Sequence, residues 1–191
     1  MEELAYHILD IARNSLEAGA TAINITVEED TEQNICRFTV ADNGWGMSPQ
    51  VLRRLEDPFF TTKSGKKVGL GFPLLRAAVE QCGGEMLIES KPGEGTRVCA
   101  AFPYNHVDRA PLGDMAQTIC TLLAGNSHVD FKYTYIFNGR QVKLETQEIR
   151  KRLKSVPLDH PTILLWLRQY LTETTQALHG GDDYEIARRA G

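Results

Sequence analysis

DNGWGM, residues 42–47, decides the fold of this chain together with three other short segments. In chain order, the first segment runs from Asp10 to Asn14, and DNGWGM is the second. The third segment reads DPFFTTK at residues 57–63, and the fourth reads GLGF at residues 69–72. Each segment alone is common in proteins. In this fixed order and this close together, they predict that a single pocket draws on all four.

The first segment lies in a predicted helix over residues 3–18, where apolar residues recur at helical spacing. Asp10 and Asn14 are four residues apart, so they project from adjacent turns of one helix face. An amide oxygen is a hard ligand of the kind that Mg²⁺ takes, usually shared with phosphates. Taken alone, the same spacing also fits an ordinary polar helix face.

The second segment places Asp42 at the end of a predicted strand. A carboxylate only accepts hydrogen bonds, and it can accept one from the amino group of adenine. Gly44 and Gly46 allow the backbone to turn and to approach the base closely. A plain Asp-Asn-Gly turn would look the same, but the other three segments favour adenine binding.

In the fourth segment, Gly69, Leu70 and Gly71 immediately precede a helix that we predict over residues 72–82. Backbone N–H groups and the positive dipole end at a helix start form an anion site. Lys66 and Lys67 precede it and are equally compatible with phosphate counter-charges and with a solvated loop. The segments together predict a protein that binds ATP with Mg²⁺.

The four segments resemble the N, G1, F and G2 boxes of the GHKL superfamily, which includes gyrase, the large heat-shock chaperones, histidine kinases and MutL-type ATPases. The resemblance covers residues 3–103. Residues 13–21 are most similar to the mismatch-repair N box. Residues 59–63, 69–72 and 93–96 are similar to the ATP-binding domain of histidine kinases.

The resemblance implies roles for individual residues. Asn14 would be the Mg²⁺ ligand, and Asp10 would take the place of the general base. Many relatives have a glutamate there, so the shorter Asp10 implies slow hydrolysis. Thr96 would support the Asp42 carboxylate, although it also reads as a simple strand-start residue. The implied nucleotide-binding residues are Asn14, Asp42, Gly44, Gly46, Met47, Thr62, Lys63, Gly69, Leu70, Gly71 and Thr96.

The order of predicted elements indicates an α+β fold. The resemblance implies a two-layer α/β sandwich of the Bergerat type, in which helices cover one face of a mixed sheet. We expect an ATP-binding domain at residues 1–103 and a small α-ββ-α domain of unknown role at residues 104–179. Residues 180–191 are polar and end in Gly, which predicts a flexible tail.

The composition limits the partners and the cellular location that we expect for the protein. The chain has 191 residues, 42% of them apolar, and a net charge of −4. This charge gives no general attraction to nucleic acid or to an anionic membrane, so we expect neither as a partner. The apolar runs are too short to span a bilayer. Four cysteines without C-x-x-C pairing fit a reducing cytosol, so we predict a cytoplasmic protein.

Two functions fit this pattern. The first is a histidine-kinase-like ATPase, or a protein kinase that acts in trans, with slow intrinsic turnover. The N box starts almost at Met1, so we expect a stand-alone protein. The second is a nucleotide-gated regulatory module whose ATP state recruits a partner protein without phosphotransfer. A protein partner is expected in both cases, and the oligomeric state is left open.

Overall fold

The computed structural model describes residues 3–55 and 71–180. The helices are α1 (Leu4–Glu17), α2 (Pro49–Arg54), α3 (Gly71–Gln81), α4 (Met115–Leu123), α5 (Thr146–Leu153) and α6 (Pro161–His179). The strands are β1 (Ala22–Asp30), β2 (Ile35–Asp42), β3 (Glu85–Lys91), β4 (Gly95–Pro103), β5 (Asp130–Phe137) and β6 (Arg140–Glu145). α1 confirms the helix predicted over residues 3–18, and β2 ends at Asp42 as predicted.

The six strands form one mixed sheet in the order β3-β4-β2-β1-β5-β6. β5 runs parallel to β1, and the other neighbours are antiparallel. Side chains alternate between faces along a strand, and one set of alternate positions is buried. Ile23, Ile25 and Val27 illustrate this on β1. The helices pack on that buried face, which confirms the predicted α+β sandwich.

The C-terminal part of the chain continues the same sheet. β5 pairs with β1 along the length of that strand, from Ala22↔Asp130 to Glu29↔Phe137. The start of α1 is also held by this part, since the backbone N–H groups of Leu4 and Ala5 donate to the carbonyls of Pro111 and Leu112. The two parts therefore share one sheet. The domain boundary after residue 103 stays a prediction.

No helix within residues 3–55 and 71–180 is both long enough and apolar enough to cross a bilayer.

Candidate nucleotide-binding site

Asp42 lies at the end of β2, and both of its carboxylate oxygens accept hydrogen bonds. Oδ2 accepts from Ser15 Oγ of α1 at 2.5 Å. Oδ1 accepts from the backbone N–H of Gly44 at 2.8 Å and from that of Thr96 at 3.3 Å. Three separate parts of the chain thus orient one carboxylate, and its remaining lone pairs are available to a donor on a ligand.

The glycines of residues 42–47 are required by close backbone contacts. Gly46 has a φ of +67°, and a Cβ there would lie 1.9 Å from the carbonyl oxygen of Lys91. A Cβ on Gly44 would lie 2.7 Å from the carbonyl oxygen of Ala18. Both distances are far inside van der Waals contact. Any larger residue would therefore push the loop off α1 or off β3, and Asp42 would move with it.

Asn14 immediately precedes Ser15 on α1, the residue whose hydroxyl donates to the Asp42 carboxylate. The Asn14 side chain is half-buried, and within the described residues its carboxamide makes no hydrogen bond. A half-buried amide without a partner among the described residues can offer its oxygen to a cation. This chemistry fits the predicted Mg²⁺ ligand.

Asp10 is exposed one turn before Asn14, and it faces the start of α3. A Cβ built on Gly71, the first residue of α3, would lie 3.9 Å from Asp10 Cβ. The N-terminal end of a helix of this length carries free N–H groups and favours anions. The structure therefore brings Asp10 close to the helix end where phosphates are predicted to bind.

Thr96 pairs in register with Asp42 across β2 and β4. Its backbone N–H contacts the carboxylate, whereas its hydroxyl lies 2.8 Å from Ser90 Oγ. Ser90 Oγ in turn accepts from the N–H of Met47 at 2.8 Å and lies 3.0 Å from the carbonyl oxygen of Gly95. Ser90 therefore ties the loop after Asp42 to the turn between β3 and β4.

Sequence reasoning missed both serines as site residues. The sequence pattern could have indicated Ser15, because it is a polar residue at the end of the apolar stripe of α1. The pattern around Ser90 is less distinctive: this residue lies on the same face of its strand as the half-buried Met86 and Ile88. Four predicted nucleotide-binding residues, Thr62, Lys63, Gly69 and Leu70, lie outside the described residues.

The family is established by comparison with known proteins. Residues 2–106 match the model of the histidine kinase-, DNA gyrase B- and HSP90-like ATPases. This match covers more than half of the chain, so the chain belongs to that family, as the four boxes predicted. It carries the family's ATP-binding domain.

Two individual relatives also match the ATP-binding half of the chain. The chain is 32% identical over 96 residues to the sensor protein DegM of Bacillus sp. (strain B21-2), covering 50% of this chain and 26% of DegM. It is 34% identical over 100 residues to the histidine protein kinase DivJ of Caulobacter vibrioides, covering 50% of this chain and 17% of DivJ. The chain thus spans about a quarter or less of these relatives.

A solved structure extends the likeness beyond the matched domain. The N-terminal domain of a DNA repair protein superposes with a TM-score of 0.50 at 13% identity, covering 76% of this chain and 53% of that one. At this identity the likeness concerns the fold alone.

Proposed function

We propose that this chain binds ATP with Mg²⁺ at Asp42 and Asn14, and that it is a weak ATPase or a protein kinase acting in trans. One observation carries the proposal: the Asp42 carboxylate is oriented by donors from α1, from its own loop and from β4. A carboxylate held in this way, in a loop that its glycines allow to pack closely on α1 and β3, suits the amino group of adenine.

Different residues of the site bind the base and the phosphates. Asp42 binds the adenine amino group, with Gly44, Gly46 and Met47 shaping the loop beside the base. Asn14 holds Mg²⁺, which when bound neutralises charge on the phosphate oxygens. The N-terminal end of α3 at Gly71 binds the phosphates. Asp10 accepts a proton from water or from an acceptor group, and its short side chain keeps turnover slow.

The metal assignment is tested with Asn14→Ala. We expect this variant to lose the Mg²⁺-dependent part of ATP affinity and to keep the part due to adenine. ATP binding is measured by calorimetry with and without Mg²⁺, in wild type and variant. Asn24→Ala, on the open face of β1, is the control. If Mg²⁺ strengthens ATP binding equally in wild type and Asn14→Ala, Asn14 is not the ligand.

A second function, the nucleotide-gated module, is favoured by the attachment of α1. This helix carries Asp10 and Asn14. Its first turn is hydrogen-bonded to residues 111–112, and the helix as a whole contacts α4. A shift of α1 on nucleotide binding would therefore reach the C-terminal part of the chain directly.

The two functions separate in one experiment. The protein is incubated with γ-labelled ATP and a candidate partner protein, beside the Asp42→Asn variant as control. Label on the partner supports a kinase. Retention of an unlabelled partner that depends on ATP supports the gated module.

We place either activity in the cytosol, since Cys36, Cys82, Cys99 and Cys120 are free thiols.

A further inference from the structure

Three neighbouring strands place Ser90, Thr96 and Asp42 in one row. Ser90 is the register partner of Thr96, and Thr96 is the register partner of Asp42. All three share strand parity with buried residues such as Val40 and Val98, so they lie on the helix-covered face. Ser90 is thus separated from the adenine-binding carboxylate by one residue only.

The hydrogen bonds of Ser90 determine where its proton goes. Its Oγ lies 3.0 Å from the carbonyl oxygen of Gly95 and 2.8 Å from Thr96 Oγ1. A carbonyl oxygen cannot donate, so Ser90 must supply the proton in the contact with Gly95. The lone pairs of Ser90 then accept from Met47 N–H and from the Thr96 hydroxyl. In this arrangement each hydroxyl proton has a protein acceptor.

We infer that Ser90 is a positioning residue for base selection, because it holds the Thr96 hydroxyl as an acceptor toward the nucleobase. With its proton committed to Ser90, Thr96 offers only lone pairs beside the Asp42 carboxylate. The inference rests on the proposed binding of adenine at Asp42.

Two adjacent acceptors select the 6-amino group of adenine, which donates, over the 6-oxo group of hypoxanthine, which accepts. Loss of Ser90 frees the Thr96 hydroxyl to rotate and to donate to a 6-oxo group. Ser90 therefore contributes to discrimination without touching the base.

The test compares the affinities of ADP and inosine diphosphate, which differ only at the 6-position and the adjacent ring nitrogen. We expect Ser90→Ala to lower the preference for ADP by about 3- to 10-fold, the effect of one hydrogen bond. Ser90→Thr keeps the hydroxyl and should keep the wild-type preference. Adding Thr96→Val to Ser90→Ala removes the freed donor and should restore most of the preference.

A merely structural role of Ser90 gives a different result. Loosening the Met47 loop would weaken both nucleotides equally and leave the ratio unchanged, which would overturn the inference. If Ser90→Ala does not fold, Ser90→Cys takes its place, since a thiol is a weak acceptor. A wild-type protein that binds both nucleotides equally would instead refute adenine recognition by Asp42.

Discussion

At the scale of single residues, the donors around Asp42 decide what the carboxylate can do. Ser15, Gly44 and Thr96 hold it with one side-chain and two backbone hydrogen bonds. The backbone N–H groups of Gly44 and Thr96 both donate to Oδ1, so this oxygen must remain an acceptor. An amide at this position would keep its oxygen there and place its NH₂ group at Oδ2, where it offers a donor instead of an acceptor to the amino group of adenine.

We therefore predict that Asp42→Asn binds ADP about 5- to 150-fold more weakly, because a mismatched donor in a confined site costs about 1–3 kcal/mol. Calorimetric titration with ADP measures this, and circular dichroism checks that the variant is folded. Asp108→Asn, at an exposed aspartate, is the matched control. A folded Asp42→Asn protein with wild-type affinity would rule out the role of Asp42.

A second prediction at the scale of single residues concerns Asp10 and the rate of ATP hydrolysis. It faces Gly71 at the start of α3, but its side chain is one methylene shorter than glutamate. Proton transfer needs heavy atoms within about 2.6–3.2 Å, or one bridging water. We expect slow phosphate release by the wild type, faster release by Asp10→Glu and slower release by Asp10→Asn, all at saturating ATP. A wild-type rate of about 1 s⁻¹ or faster would contradict slow turnover.

At the scale of elements, local patterns predicted most of the fold, and pairings across the chain escaped prediction. The alternation of Ile23, Ile25 and Val27 is typical of a strand such as β1, and Asn138-Gly139 is typical of a hairpin turn such as the one between β5 and β6. Nothing local indicates that β5 pairs with β1, because parallel pairing depends on distant segments of the chain. The contacts from Ser15 to Asp42 and from Ser90 to Met47 could not be predicted for the same reason, since each joins residues that are far apart in the sequence.

A polar network around the buried Tyr135 and Glu29 joins β1, β5 and α6 at the end of the sheet away from Asp42. Tyr135 Oη donates to Glu29 Oε2 at 2.7 Å and lies 2.7 Å from His179 Nε2. Burial and the hydrogen bond to Glu29 raise the pKa of Tyr135, so its hydroxyl keeps its proton for the carboxylate. The neighbouring Tyr133 is also buried, and among the described residues its hydroxyl has no hydrogen-bond partner.

These two tyrosines make a matched pair for a stability measurement. Tyr135→Phe leaves the buried Glu29 carboxylate without its donor, and we expect it to lower the free energy of unfolding by about 1–3 kcal/mol. Tyr133→Phe removes an unpaired hydroxyl, and we expect no loss or a small gain. Urea unfolding followed by circular dichroism gives both values. Equal losses in the two variants would show that the network does not stabilise the fold.

At the scale of the whole molecule, the ATP-binding domain and the C-terminal part share one core. Ile119, Leu122 and Leu123 of α4 are buried in the same apolar cluster as Leu4 and Ile8 of α1. β1 lies inside the sheet because β5 flanks it, so without β5 it would become an edge strand. The family match ends at residue 106, whereas the sheet continues to β6.

We predict that a chain ending at residue 106 is less stable than the full chain by more than ~3 kcal/mol, since it exposes the apolar surface of α1 and β1 that α4 and β5 cover. Exposed Leu and Ile side chains and an unpaired edge should also make it prone to aggregate. Urea unfolding compares it with the full chain and with a control that ends at residue 180. A cooperative transition at the wild-type midpoint would instead establish the boundary after residue 103 as that of an independent domain. ADP titration of the shortened chain then shows whether Asp42 and Asn14 keep their positions when α1 loses its bonds to residues 111–112.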